Sequence, residues 1–148
     1  MKLSHILALA SPLLCSWGSA YGTEQRITCP ELLHPEAIQA NRPPAGWKLY
    51  MPQEVYLSGG GMVQGPPDQS GYMVPDDSKR TKSGKSSTQT DRWTFHAPEG
   101  DPMWLYCGYG GGRTPIQIFK QVEDDATECI LTTQFANDQV RGQTFVCK

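Results

Sequence analysis

Residues 104–119 read WLYCGYGGGRTPIQIF, in which an apolar run precedes four glycines and an alternating apolar run follows them. A phosphate-binding loop would need a further glycine five residues after Gly108, where Arg113 stands, and a helix behind the loop. From Pro115 onward the apolar residues recur at every second position, which is the period of a strand. We therefore predict that the glycines connect two antiparallel strands, because glycine adopts positive φ angles without steric cost.

The rest of the chain contains further short stretches with the composition of strands. Twelve prolines and fifteen glycines interrupt any long helical periodicity, and aromatic and β-branched residues cluster in short runs. The predicted strands are residues 46–50, 54–57, 92–96, 103–109, 115–122, 129–135 and 144–147. These strands predict an all-β or β-dominated α+β domain, built as an antiparallel meander or sandwich, with one short N-terminal helix at residues 35–40.

Two segments do not fit a strand pattern. Residues 59–61 are three consecutive glycines, which we interpret as a flexible joint. Residues 76–91 contain no apolar residue and are predicted to form a long, mobile polar loop. Its basic residues could bind a phosphate or an acidic partner, but the interpretation we favour is a solvated loop flanked by its own acids. The charged residues are Lys79, Arg80, Lys82 and Lys85 against Asp76, Asp77 and Asp91.

The N-terminal residues have the three parts of a secretory signal peptide. A lysine precedes a mostly apolar run, residues 3–14, which is too short to span a bilayer, and small residues end at Ala20. We expect residues 1–20 to be removed and the mature protein to be periplasmic or secreted. A lipoprotein signal that ends at Cys15 is the alternative, although Leu14 stands where such a signal needs a small residue.

Removal of the signal peptide leaves four cysteines, Cys29, Cys107, Cys129 and Cys147. An even number of cysteines in an exported protein indicates two disulfides. None of them belongs to a Cys-x-x-Cys pair, which argues against a zinc site and against a redox centre. If the last four strands alternate in direction, Cys129 begins one strand and Cys147 ends the next at the same edge of a hairpin. The favoured pairs are therefore Cys129–Cys147 and Cys29–Cys107.

Size and charge point to one domain and exclude two classes of partner. Residues 21–148 have the common size of a single domain. The formal net charge is −2, and removal of Lys2 with the signal peptide makes it −3. A mildly acidic chain binds nucleic acid and anionic membranes poorly, and no later apolar run is long enough to span a bilayer. We therefore predict neither nucleic-acid binding nor a membrane span.

The sequence offers little for catalysis. The nearest constellation is His96, Glu99 and Asp101, because a histidine beside carboxylates can transfer protons. These residues lie in a segment rich in proline and glycine, no nucleophile accompanies them, and turn formation explains them equally well. The mature chain retains only two histidines, which are far apart. We therefore predict that the protein is not an enzyme and has no catalytic residue, metal site or cofactor.

Aromatic residues provide the candidate binding surface. Trp93, Trp104, Tyr106 and Tyr109 lie on strands that are predicted to be neighbours, where aromatic side chains usually belong to the core. If Trp104 and Tyr106 instead face outward, with Arg113 at the tip of the glycine loop, they form a surface suited to binding another protein.

An ordered set of short motifs spans most of the mature chain. In sequence order the set is Cys29-Pro30, Gly46-Trp47, Gly65-Pro66-Pro67, Met73-Val74-Pro75, the run from Trp104 to Tyr109, Cys129 and Cys147. With this set the chain resembles a family of small exported proteins of Gram-negative bacteria whose role is not established. The long glycine loop after Tyr109 departs from the family's pattern. The resemblance implies an exported, disulfide-linked protein, and it carries no catalytic residue over.

These features together favour an exported, non-enzymatic protein that binds an unknown protein partner in the cell envelope, as an inhibitor or an immunity-type protein does. The alternative is a structural envelope protein, or one that binds carbohydrate or peptidoglycan. Both interpretations rest on analogy with other small disulfide-linked β-proteins rather than on a specific motif.

Overall fold

The computed structural model describes residues 24–38, 44–46, 48, 53–95, 101–111 and 116–148, and nine β-strands lie within them. The first four strands are β1 (Gln25–Thr28), β2 (Leu32–Leu33), β3 (Val55–Gln64) and β4 (Asp77–Ser83). The other five are β5 (Ser86–Thr94), β6 (Met103–Tyr109), β7 (Ile116–Gln121), β8 (Glu128–Ala136) and β9 (Gln139–Cys147). The pairs that these strands form are antiparallel, which confirms the β-dominated antiparallel class.

The strands form two sheets that share one hydrophobic core. A five-stranded sheet has the order β1-β9-β8-β5-β4, and a four-stranded sheet has the order β2-β3-β6-β7. Alternate residues of the inner strands are buried, so each sheet directs one apolar face toward the core. The large, fully buried side chains come from both sheets: Met62, Leu105 and Tyr109 from the four-stranded sheet, Leu131 and Phe145 from the five-stranded sheet.

The glycine-rich stretch after β6 connects two antiparallel strands, as predicted. The bounds of β6 are the predicted ones, and β7 is paired directly with it, with Ile116 opposite Tyr109. Gly110 and Gly111 have positive φ angles of 86° and 61°. The predicted meander is nevertheless divided between the sheets, because β6 and β7 belong to the four-stranded sheet and β8 and β9 to the five-stranded one.

The predicted flexible joint at residues 59–61 is wrong, because these glycines lie inside β3. Gly60 and Gly61 are opposite Cys107 and Tyr106 of β6. A Cβ atom at Gly60 would be 2.8 Å from the carbonyl oxygen of Tyr106, and one at Gly61 would be 2.9 Å from Cε1 of the same residue. Glycine is therefore required here because other atoms approach the strand closely, and flexibility is not its role.

The predicted mobile loop at residues 76–91 is also wrong, because β4 and β5 form a regular hairpin there. The two strands are paired up to Ser83 and Ser86, and Gly84 has a φ of 59° at the turn between them. β4 is the outermost strand of its sheet, and all seven of its residues are exposed. A strand with solvent on both faces needs no apolar residue, so hydrophobic periodicity does not reveal it.

No α-helix occurs in the part of the chain that the structure describes. The helix predicted at residues 35–40 is represented by one 3-10 turn, Pro35–Ala37, and residues 39–40 lie outside the described ranges. The strand predicted at residues 46–50 also falls mostly outside them. Within those ranges the structure has no helix with the length and apolar character needed to cross a membrane.

Two disulfides connect distant parts of the chain. Cys29 is bonded to Cys107, which attaches the segment after β1 to β6 of the other sheet. Cys129 is bonded to Cys147 across the β8–β9 hairpin, where the two residues are register partners. The sequence favours the same two pairs.

Candidate protein-binding surface

The outer face of the four-stranded sheet carries aromatic residues. Along β6, Leu105, Cys107 and Tyr109 are buried in the core. Because neighbouring residues of a strand point to opposite faces, Trp104 and Tyr106 face away from that core, and both are partly exposed. β6 thus presents these two residues on the outer face of the sheet, the arrangement that a binding surface requires.

Two further aromatic residues lie beside them. The ring centroid of Tyr106 is 5.5 Å from that of Tyr72, in an edge-to-face arrangement, and 6.1 Å from that of Phe119. These separations are typical of interacting aromatic pairs. The hydroxyl of Tyr72 donates to the side-chain oxygen of Gln117 (2.7 Å), which connects the segment after β3 to β7. We refer to Tyr72, Trp104, Tyr106 and Phe119 as the aromatic surface.

Main-chain pairing holds the rings of this surface in place. Gly61 of β3 lies beneath Tyr106, since a Cβ atom there would nearly touch the ring. Tyr72 forms an isolated β-bridge with Val63, whose side chain is fully buried. The side chain of Tyr72 is nevertheless 51% exposed. A surface whose aromatic rings are already positioned loses less conformational entropy when a partner binds.

Hydrogen bonding differs between the members of the aromatic surface. Burial raises the pKa of Tyr106, and the neighbouring Tyr72 raises it further. The Tyr106 hydroxyl therefore stays protonated at physiological pH and can both donate and accept a hydrogen bond. The indole Nε1 of Trp104 is buried and has no hydrogen-bond partner within the described ranges, so packing is what holds this side chain.

The other two aromatic residues singled out in the sequence belong to the core. Trp93 lies on β5 of the five-stranded sheet, is 3% exposed, and donates its indole N–H to the carbonyl oxygen of Met73 (3.3 Å). Tyr109 is fully buried and donates its hydroxyl to the carbonyl oxygen of Pro30 (3.0 Å). The four residues therefore do not form one cluster. Arg113 lies outside the described residues.

A cleft of about 780 Å³ lies at one end of the molecule, between the start of β3, the glycines after β6 and the β8–β9 turn. The segment that passes from β1 in one sheet to β2 in the other borders it at Glu31. The lining of the cleft includes both apolar and charged side chains. The apolar ones are Val55, Tyr56, Phe135 and Val140, and the charged ones are Glu31, Glu54, Asp138 and Arg141. A concave site of this mixed character can accept a side chain or a short segment of a partner.

The constellation considered for catalysis lies mostly outside the described residues. Of its members the structure describes only Asp101, which is exposed, while His96 and Glu99 lie outside the described ranges. His34 is 3.3 Å from Glu54, measured from Nδ1 to Oε1, and forms an ion pair with it when protonated. Among the described residues, no three His, Cys, Asp or Glu side chains are grouped closely enough to hold a metal ion.

Sequence reasoning did not identify Tyr72 and Phe119 as members of the aromatic surface. Phe119 lies within the predicted strand at residues 115–122, and the alternation of Ile116 and Ile118 assigns it to the opposite face from them. This alternation is the sequence signal that could have predicted Phe119 on the outer face. Tyr72 lies between elements, where no periodicity exists, so only the fold could place it.

Comparison with known proteins gives a family. A family model described as type VI secretion system Tli immunity protein matches residues 52–148, well over half of the chain. The matched range includes β3 to β9 and every member of the aromatic surface. Two motifs of the resemblance noted from the sequence, Cys29-Pro30 and Gly46-Trp47, precede it. No curated protein and no solved structure matches the chain.

Proposed function

We propose that this chain, which belongs to the family of type VI secretion system Tli immunity proteins, binds a toxin delivered by such a system and neutralises it. The protein then acts as an immunity-type binding module, by occupying the toxin and without catalysis. The family match over residues 52–148 is the observation that carries this proposal. The two antiparallel sheets support it, because regular strand pairing offers a preformed surface to a protein partner.

We place the main toxin contact at the aromatic surface. Tyrosine and tryptophan dominate the energetics of protein interfaces, because each buries a large area with few rotatable bonds. Tyr72 combines a half-exposed ring with a hydrogen bond and a ring contact that hold it in place. Phe119 extends the apolar area on the neighbouring edge strand β7. The aromatic surface is therefore held in place by contacts within the molecule and is still accessible to a partner.

We also propose that the protein acts in the periplasm, after removal of residues 1–20. The signal-peptide pattern at the N-terminus supports export. The two disulfides support it as well, because disulfides form and persist in oxidising compartments such as the bacterial periplasm.

Competition between sibling strains of the bacterium that produces this chain tests the proposal. A recipient that lacks the chain should be killed by its parent, and the killing should require an active secretion apparatus in the attacker. Expression of the full chain in the recipient should restore survival. Attackers that each lack one effector then identify the toxin, because the strain without it no longer kills.

Three results would contradict parts of this proposal. Equal survival of recipients with and without the chain would reject the immunity function. Full protection by a chain that lacks residues 1–20 would keep the immunity function but reject action in the periplasm. Retention of the purified chain on peptidoglycan, with no binding to any effector, would favour the alternative envelope role.

A further inference from the structure

The β4–β5 hairpin concentrates positive charge at one edge of the five-stranded sheet. Residues 78–90, which form most of the hairpin, contain no acidic residue. Their basic residues are Lys79, Arg80, Lys82 and Lys85. The whole chain has a formal net charge of −2, so positive charge is segregated here from a slightly acidic remainder.

Two of the aspartates that flank this segment lie at the base of the hairpin. Asp76 accepts hydrogen bonds from the main-chain N–H and from the hydroxyl of Thr94, both at 2.6 Å. Asp77 is opposite Arg92, at the end of the ladder that is farthest from the turn. Neither carboxylate is paired with a basic residue near the turn.

The third aspartate, Asp91, is turned into the molecule. It is 8% exposed, and it accepts hydrogen bonds from the hydroxyl of Ser78 (2.5 Å) and from the side-chain amide of Gln89 (3.0 Å). Asp76 and Asp91 therefore form hydrogen bonds within the hairpin, and neither forms an ion pair with its lysines in the described part of the chain. The hydrogen bonds of Asp76 and Asp91 stabilise the hairpin, and the basic residues remain exposed at its edge.

Arg80 fixes the hairpin against the sheet. Its guanidinium donates to the hydroxyl of Ser87 (3.0 and 2.8 Å) and to the carboxylate of Asp138 (3.1 Å). It also lies 4.3 Å from the centroid of the Phe135 ring, which adds a cation–π contact. The guanidinium of Arg80 is thus engaged in contacts within the molecule. The three lysines, in contrast, form no ion pair with any residue in the described ranges.

We propose that Lys79, Lys82 and Lys85, which we refer to as the cationic edge, dock an acidic surface of the toxin. The inference rests on the immunity function proposed above. β4 is the outermost strand of its sheet and is exposed throughout, so a partner reaches these lysines without displacing any described part of the chain. Charges at the accessible rim of an interface mainly accelerate association, and they make its rate depend on salt.

The test compares two variants that each lose three positive charges. The hairpin variant carries Lys79→Gln, Lys82→Gln and Lys85→Gln. The matched control carries Arg26→Gln, Lys48→Gln and Lys120→Gln, which are exposed residues outside the hairpin. The probe is the effector identified by the sibling competition. Association and dissociation rates are measured at about 50 mM and about 1 M NaCl, because the screening length falls to about 3 Å at the higher concentration.

The hairpin variant should associate with the effector about tenfold more slowly than the wild type at low salt. At high salt the two proteins should associate at similar rates, because screening removes the electrostatic contribution. The association rate of the matched control should fall much less at low salt, although this variant carries the same net charge as the hairpin variant.

Each of the other outcomes rejects the immunity function, the proposed role of the cationic edge, or both. If the wild-type chain binds no effector, the immunity function and the cationic edge fail together. If it binds and the hairpin variant shows the association rate and salt dependence of the control, only the cationic edge is rejected. Aggregation of the hairpin variant with unchanged toxin kinetics would mean that the lysines protect an open strand edge. Loss of binding to phosphatidylglycerol vesicles with unchanged toxin kinetics would assign the lysines to a membrane surface instead.

Discussion

The side-chain amide of Gln143 on β9 is hydrogen-bonded to Gly59 and Gly60 of β3, and so connects the two sheets through the core. Its nitrogen donates to the Gly59 carbonyl (2.8 Å), and its oxygen accepts from the Gly60 N–H (3.3 Å) and the Thr133 hydroxyl (2.9 Å). The opposite orientation would place oxygen against oxygen and nitrogen against N–H, so hydrogen bonding decides the assignment. The side chain is 3% exposed, and these bonds satisfy its polar atoms.

The close approach of the sheets at this point predicts that Gly60→Ala destabilises the protein. The new Cβ atom would be 2.8 Å from the Tyr106 carbonyl oxygen and 2.9 Å from the side-chain amide of Gln143. Main-chain oxygen cannot move aside cheaply, so the free energy of unfolding should fall by about 1–3 kcal/mol. Urea unfolding measures the change. Gly59→Ala is the matched control, because no atom lies within 4 Å of its Cβ position. Equal destabilisation by both substitutions would contradict the close approach.

The two disulfides should contribute unequally to stability. Cys29 and Cys107 are 78 residues apart in sequence, and Cys129 and Cys147 are 18 apart. Loop-closure entropy predicts a contribution of about 4.5 kcal/mol for the longer loop and about 3 kcal/mol for the shorter. Replacing each pair by two alanines leaves similar small cavities, since all four cysteines are buried. Denaturant unfolding of the two double variants should therefore rank the Cys29/Cys107 variant as the less stable, and the reverse order would contradict this model.

Asp76 should make stability depend on pH in the acidic range. The hydrogen bond from the Thr94 hydroxyl, followed by that from the Thr94 N–H, lowers the pKa of Asp76 below 3.8. A carboxylate with a lowered pKa in the folded state stabilises the protein above its unfolded pKa, and that contribution is lost as the pH falls through the folded value. The advantage of the wild type over Asp76→Asn should thus be complete above about pH 4 and disappear in more acidic solution.

Urea unfolding at a series of pH values measures this advantage. The effect should be small, because Asp76 is fully exposed to solvent and water screens its interactions. Asp125→Asn changes an exposed carboxylate that has no hydrogen bond to the hairpin, and is the control. A pH-independent difference between the wild type and Asp76→Asn would mean that the carboxylate charge does not contribute.

The aromatic surface predicts which tyrosine matters for toxin binding. Tyr72→Ala and Phe119→Ala should each weaken binding by about 2 kcal/mol or more, because each removes a ring that contacts Tyr106 or lies beside it. Tyr56→Ala is the matched control, since Tyr56 is 60% exposed but lies at the end cleft. Calorimetric titration with the identified effector measures all three affinities. A loss confined to Tyr56→Ala would transfer the interface to the cleft.

Patterns that are local in the sequence predicted much of the fold. The apolar run of residues 103–109, the glycines behind it and the alternation of residues 115–122 predicted β6 and its hairpin with β7, because two strands and one turn suffice to define that motif. The hairpin interpretation of the C-terminal strands also brought Cys129 and Cys147 together, as the register partners that the structure joins. In both cases the interacting residues lie opposite each other on two adjacent antiparallel strands.

The failures have a common physical cause. β4 was missed because a strand with solvent on both faces has no apolar side to reveal. The flexible-joint interpretation of residues 59–61 is wrong because Gly60 and Gly61 accommodate the approach of Tyr106 and Gln143, which are distant in sequence. Strand period and composition indicate the local conformational preference of a residue. They do not indicate which residues from distant parts of the sequence will pack against it.

Side-chain alternation, turn glycines and an even cysteine number were enough to predict a protein of short antiparallel strands with paired cysteines, because each of these signals acts over a short distance or in isolation. Which apolar face of β6 is covered depends on how the two sheets pack against each other. Leu105 and Cys107 alternate with Trp104 and Tyr106, so both faces read as apolar, and the second sheet buries the first set while leaving the other partly exposed. Likewise, the fold engages Asp76 and Asp91 in hydrogen bonds, and this leaves the neighbouring lysines without an acidic partner among the described residues.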